Sequence, residues 1–226
     1  MLNYKKLCII FFLLSLFVVS CSKEELEGTP EDVKLVFEDD FNGSKTNWGT
    51  GTFLNGTANS FLKDGKYVIR ISNYISTQFF YPNNILTENP KKYIFETSAK
   101  INQGSGTIFL CLGAKTAGPN QPIDYIGVYL SLYDTFTVYR AKNNQNEILA
   151  NWQINKAIDI SKHAKFQAVL ENNTLKLFVN GSEIYSLNNP GINTLEAISL
   201  GAAQWENMGS TVTEVEYDYV RMYASN

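Results

Sequence analysis

Few residues in this 226-residue chain have both the type and the spacing that chemistry requires. A thiolate nucleophile would have to come from Cys111. That residue sits inside the apolar run Ile108-Phe-Leu-Cys-Leu112, so it reads as a small buried hydrophobe. The one histidine, His163, stands between Lys162 and Lys165 in a polar stretch and reads as a solvated surface imidazole. One histidine cannot build a multi-histidine metal site, and a Cys–His pair would need His163 to reach Cys111. The aromatics are more informative: they make up 13% of the chain and include 13 tyrosines. Sugars present apolar C–H faces ringed by hydroxyls, so flat aromatics beside Asn, Gln, Asp and Arg suit them. Tyr125, Tyr129 and Tyr133 are spaced to share one face of a strand. Tyr139 with Arg140, and Trp152 with Gln153, follow on later strands, and Gln204-Trp-Glu-Asn207 falls in a late loop. Core packing with a polar tip is the ordinary role of Tyr and Trp and competes with this reading, at Trp48 and Trp152 above all. Trp205 is the most exposed in expectation, because polar residues and Gly209 crowd around it. The candidate ligand-binding set is therefore Trp205, Gln204, Trp152, Tyr139, Arg140 and Tyr129.

The elements that must position these residues are almost all strands. Residues 66–72, 93–101, 125–132, 135–140, 166–170, 175–179 and 212–223 alternate apolar and polar side chains and are rich in β-branched and aromatic types. Asn180-Gly181 is a strong two-residue hairpin signal, and Asn172-Asn173 and Tyr133-Asp134 separate further pairs of alternating runs. Gly104-Ser-Gly106 and the stretch 117–122 read as looser loops. The one plausible helical turn is at Ala157–Lys162, capped by Asp159 or Ser161. About a dozen short strands with no βαβ alternation and no fixed-period repeat imply an all-β sandwich in preference to a barrel.

Both ends of that strand series resemble a known group. Val36-Phe-Glu-Asp-Asp-Phe-Asn-Gly43 with Trp48 and Lys63-Asp-Gly-Lys-Tyr-Val-Ile-Arg70 stands at the start. Val215-Glu-Tyr-Asp-Tyr-Val-Arg-Met-Tyr223 stands at the end, and Leu175-Lys-Leu-Phe-Val-Asn-Gly181 in the middle. Together these segments resemble the concanavalin A-like lectin/glucanase superfamily, notably laminin-G-like domains and family 16 glycoside hydrolases, over residues 35–223. The resemblance implies a jelly-roll sandwich of two antiparallel sheets, one of them concave and often a sugar cleft. Hydrolases of that family need a strand reading Glu-x-Asp-x-(x)-Glu, with two carboxyls about 5–5.5 Å apart for retaining chemistry. Glu214-Val-Glu-Tyr-Asp218 has the alternation but lies in the terminal strand, Glu38-Asp-Asp40 lies in the first, and the mid-chain strands carry Glu96 alone. The catalytic set therefore reads as absent. The resemblance also implies a structural Ca²⁺ held by Asp218 with backbone oxygens at Glu38 and Gly65. The competing reading has these acids solvated or paired with Arg70 or Arg221.

The N-terminus places the domain. Lys5 and Lys6, the apolar run Leu7–Val19 and a small residue before Cys21 have secretory-signal architecture, and the run is shorter than the ~20 residues a membrane span needs. Val18-Val-Ser-Cys21 resembles a bacterial lipobox, and the Lys23-Glu-Glu25 that follows resembles a Bacteroidota surface-export signal. The expected organisation is a signal peptide over 1–20, a lipid-bearing Cys21, a tether over 21–33 and one β-sandwich over 34–226. Loss of Lys5 and Lys6 takes the formal net charge from −3 to −5, which disfavours nucleic acid and anionic membrane surfaces as partners. Acylation of Cys21 and loss of Cys8 leave Cys111 with no intramolecular disulfide partner. The function these readings imply is a non-catalytic polysaccharide-binding lipoprotein of the outer membrane, on the cell surface. The alternatives are a glycoside hydrolase with an unrecognised site, or an envelope protein-interaction module.

Overall fold

The computed structural model describes residues 33–43, 48–72, 76–80, 90–116, 122–142, 145–195, 197–204 and 211–225, of which 76–80, 115–116 and 122–123 are described by their backbone alone. The expected signal peptide, Cys21 and the tether up to residue 32 lie outside the described residues. The looser loop at 117–121 and Trp205 do as well.

Among the described residues the chain is built of fifteen strands and one short 3₁₀ turn. The strands are β1 (Lys34–Asp39), β2 (Gly51–Phe53), β3 (Ala58–Lys63), β4 (Lys66–Ser72), β5 (Ser76–Phe80) and β6 (Lys92–Gln103). Next come β7 (Thr107–Thr116), β8 (Pro122–Ser131), β9 (Thr135–Lys142) and β10 (Gln145–Ile154). Finally there are β11 (Ala164–Glu171), β12 (Thr174–Val179), β13 (Ser182–Asn188), β14 (Ile198–Ala203) and β15 (Val212–Ser225). All pairings are antiparallel and form two sheets. One has nine strands in the order β13-β12-β11-β6-β15-β4-β3-β2, with β1 paired to β15; the other has six in the order β10-β9-β8-β7-β14-β5.

Turn chemistry sets the registers. Asn180-Gly181 has φ of 50° and 80°, Asn172-Asn173 has 50° and 58°, and Asp64-Gly65 has 51° and 71°. Two successive positive φ values match the twist of a tight hairpin, which is why Asn, Asp and Gly occupy these corners. The expected helical turn at Ala157–Lys162 is a series of turns instead. There the Asp159 carboxylate accepts from the Ser161 backbone N–H at 3.3 Å, so the side chain closes an Asx turn rather than capping a helix.

Between the sheets lies one apolar core. Strand β15 supplies Val215 and Tyr217, then Val220 and Met222, because a bulge between Tyr217 and Tyr219 switches which parity points inward. Tyr217 ties the sheets together: its hydroxyl donates to the Gly201 carbonyl at 2.6 Å and accepts from the Gly201 N–H at 3.2 Å. Trp48 is core, 2% exposed, against Phe41 and Tyr67 with ring centroids 6.3 and 6.0 Å away.

Candidate binding face on the six-stranded sheet

The outward row of β8 is Tyr125, Gly127, Tyr129 and Ser131, alternating with the core residues Ile126, Val128 and Leu130. Opposite it, β9 presents Thr135, Thr137, Tyr139 and Ala141, and β7 presents Thr107, Phe109 and Cys111. These rows form a second apolar cluster separate from the main core: Phe109, Cys111, Tyr129, Tyr139, Ala141 and Ala203, with Tyr125 packed against it.

The rings stack. Phe109 lies 4.4 Å from Tyr129 at 17°, and Tyr129 lies 5.6 Å from Tyr139 at 19°. Tyr125 meets Tyr139 edge-on at 5.7 Å, and the Tyr139 hydroxyl donates to that of Tyr125 at 3.1 Å. Gly127 is directly opposite Tyr139 in the ladder, and a Cβ there would collide with the Tyr139 ring. The ring lies across the glycine because no side chain fills that space. Burial pushes the Tyr125 hydroxyl up to about 12, and pushes the Tyr139 hydroxyl and the Cys111 thiol higher still. The face therefore carries phenols and a thiol, not phenolates or a thiolate, and Cys111 is the inert buried hydrophobe its apolar run implied.

Most of this stack is covered: Phe109 is 2% exposed, and Tyr129 and Tyr139 are each 9%. Accessible surface appears at the margin. Trp152 on edge strand β10 is 43% exposed, with its ring 6.5 Å from Tyr129, and Ile148 and Ile154 on the same strand are 67% and 72% exposed. Tyr133 leaves the row of Tyr125 and Tyr129, stands in the β8–β9 turn and is exposed.

The expected ligand set is thus brought together only in part. Tyr129, Tyr139 and Trp152 form one face. Arg140 points to the other side of β9, where its guanidinium donates to the carbonyls of Pro190 and Asn189 at 3.1 and 3.3 Å and pairs with Glu147 at 3.3 Å. It anchors the β13–β14 connection instead of joining the aromatics. Gln204 is buried, accepting at 3.1 Å from Thr213, because it follows β14 with the parity that points between the sheets. Phe109 and the isoleucines of β10 escaped the sequence reading. The run 108–112 is apolar at every position, so no alternation marks a face.

Carboxylates are absent from the outward positions of β7, β8, β9, β10 and β14 among the described residues. Glu96 lies on the outer face of the nine-stranded sheet, fully buried and bonded to Tyr219, Gln167 and Lys165. The alternating acids of β15 face the same way and each has a partner: Glu214 with Asn102, Glu216 with Lys100, Asp218 with Lys66. His163 is exposed there, 3.4 Å from the Ser98 hydroxyl. Asp218 is the side-chain carboxylate that the calcium reading requires, and the Lys66 ammonium holds it. Glu38 pairs with Arg221 at 2.7 Å, as the competing reading had it, and the Gly65 turn packs on Asn42. No group of three His, Cys, Asp or Glu able to hold a metal occurs among the described residues. Ca²⁺ needs 6–8 oxygens, and among the implied donors the one side-chain carboxylate, Asp218, is paired with Lys66.

No protein-family model matches the chain, and no curated protein matches it by sequence. Solved structures do match by shape. An endo-β-1,3-glucanase from Pyrococcus furiosus superposes with a TM-score of 0.61 at 15% identity, over 86% of this chain and 95% of that one. A β-glucanase from Bacillus licheniformis gives 0.59 at 14%, over 84% and 98%. A GlcNAcα1-4Gal-releasing endo-β-galactosidase from Clostridium perfringens gives 0.61 at 15%, over 86% of this chain, which spans 64% of that enzyme's length. The fold is the concanavalin A-like jelly roll. In this jelly roll the outer face of the six-stranded sheet holds stacked rings and no acid pair among the described residues.

Proposed function

We propose that this protein is a non-catalytic carbohydrate-binding module, tethered to the outer membrane by a lipid on Cys21 and facing the exterior. The observation that carries the reading is the exposed Trp152 indole beside an uncharged aromatic stack, on a sheet face whose described positions lack a carboxylate. A flat indole at the open margin can take the C–H face of a sugar ring. The stack behind it fixes the sheet that carries the indole, which lowers the ordering cost of binding. Retaining hydrolysis needs two carboxyls about 5–5.5 Å apart, and these rows of Tyr, Gly, Phe, Thr and Ser with the buried Cys111 thiol supply no carboxyl at a described position. The fold is shared with enzymes named for cleaving glucans and galactosides, which supports a glycan as the ligand.

Affinity electrophoresis and calorimetry against a polysaccharide panel test this. Trp152→Ala is expected to weaken binding at least about ten-fold, equivalent to ~1.4 kcal/mol, the scale of one exposed aromatic anchor. Retardation by no glycan would sink the reading. Reducing-end release by the purified protein would replace it with a hydrolase. Co-purification with a stable protein partner in the absence of any glycan affinity would replace it with an interaction module. The anchor has its own check: the mature N-terminus is expected to begin at an acylated Cys21 by mass spectrometry, and Cys21→Ser to release the domain from membranes.

A further inference from the structure

A cavity of about 320 Å³ opens away from the aromatic face, where β6 begins and β11 turns into β12. That is at the lower end of the range for small-molecule sites. Its lining is mainly polar, with Asn172, Asn173 and Asn193 around it beside Lys91 and Glu171. Its floor is apolar and buried, formed in part by Tyr93, 2% exposed, and Ile192, 3% exposed.

The rim is held in place by the backbone. Asn172 and Asn173 form the hairpin corner with positive φ, and Asn189 donates its N–H to the Asn173 carbonyl at 2.9 Å. The Lys91 backbone is fixed by its own N–H, which donates to the Ser225 carbonyl at 2.9 Å. The charges nearly cancel, since Glu171 pairs with Lys92 at 3.6 Å and the cationic Lys91 also lines the opening. An anion or a cation would gain little from such a rim. The Asn173 side-chain NH2 donates to the Asn189 Oδ1, which leaves the Asn172 and Asn193 amides to offer donors and acceptors over a small apolar floor, a set that suits an uncharged polyhydroxylated ring.

We infer that this cavity is a second saccharide site, taking a single neutral sugar residue of the glycan and independent of Trp152. The inference rests on the reading of the domain as a glycan binder. It deepens that reading: two sites on one domain raise the avidity for a long polysaccharide well above either alone.

Titration of the isotope-labelled domain with glucose, galactose and N-acetylglucosamine, followed by NMR, tests it. The side-chain amide of Asn193 is expected to shift with at least one of these sugars. In Asn193→Ala and Lys91→Ala, both exposed positions, the backbone shifts of 171–173 are expected to need about 3–10-fold more of the same sugar, the loss expected for one hydrogen bond. Trp152→Ala is expected to leave the response unchanged. If no sugar moves the Asn193 amide, or if both rim variants titrate as the parent does, the cavity is not a saccharide site. Failure of the Trp152 indole N–H to move, with Asn193 responding, would count against the aromatic face alone.

Discussion

Gly127→Ala is expected to destabilise the domain by about 3 kcal/mol, the upper end of ordinary overpacking, and to lower its melting temperature by roughly 6–12 °C. The added methyl meets the Tyr139 ring, which is 9% exposed and stacked on Tyr129 and Phe109. The ring has nowhere to retreat without breaking that stack and its bond to Tyr125. Strand β8 cannot yield easily either, since Ile126 and Val128 on either side are core residues paired across to β7 and β9. The double variant Gly127→Ala/Tyr139→Ala separates steric conflict from backbone preference. Tyr139→Ala alone leaves a cavity costing ~3 kcal/mol, by analogy with other buried aromatic truncations. If the methyl conflicts only with the ring, it adds nothing further in that background, and the coupling between the two changes is about 3 kcal/mol. Additive losses, read by denaturant unfolding, would show that Gly127 is required for its backbone and not for the ring above it. The same geometry bears on function: a side chain at 127, acidic or otherwise, meets the Tyr139 ring, so the β8 row cannot carry an acid at that position while the stack stands.

How much of this could be read from the sequence depended on whether each strand has two different faces. Strand β4 matched its expected span, 66–72, and β9, β11 and β12 were found to within two residues at each end. Strands β9, β11 and β12 alternate buried with more exposed residues over much of their length, whereas in β4 only Arg70 is exposed. The Asn180-Gly181 corner was legible because a two-residue hairpin leaves few residue types able to take both positive φ values. Strand β14 was not legible, since Ile198–Ala203 is buried on both sides and its outward Ser199, Gly201 and Ala203 are small, with no periodicity. The face itself was half legible. The spacing of Tyr129 and Tyr139 marks them as a face and implies exposure, and the sheet stacks them under one another. Arg140 is Tyr139's neighbour in sequence, and adjacency in a strand means opposite faces. The bulge at Asp218 reverses the parity of β15, which no pattern in Glu214–Tyr223 announces.

Glu96→Ala is expected to cost about 3 kcal/mol, although no ligand is proposed near it. Its carboxylate is fully buried on the outer face of the nine-stranded sheet, one oxygen accepting from the Tyr219 hydroxyl at 2.8 Å. The other accepts from the Gln167 amide at 2.7 Å and the Lys165 ammonium at 2.9 Å. These partners come from β15 and β11, the two neighbours of β6, so one side chain joins three adjacent strands. Removing it leaves a half-buried phenol and a half-buried amide without their acceptor, at ~1–3 kcal/mol for each group left unsatisfied. Lys165 is 35% exposed and can turn to water, so its loss is discounted, which holds the total to the low end for a broken buried pair. Arg221 stacks over Tyr219 at 4.4 Å and keeps Glu38 as its partner, so it is not orphaned. Glu96→Gln keeps the shape but turns an acceptor into a donor that faces donors, and about 1–2 kcal/mol is expected. The phenol of Tyr219 supplies a second readout. Burial raises its titration first and the Glu96 charge next, so it stays a neutral donor. Removing that charge in Glu96→Gln should bring the Tyr219 titration down partway, with burial still holding it above the ordinary tyrosine range. A stability loss under 1 kcal/mol in Glu96→Ala, or an unmoved phenol titration in Glu96→Gln, would mean that this network is ornamental to the nine-stranded sheet.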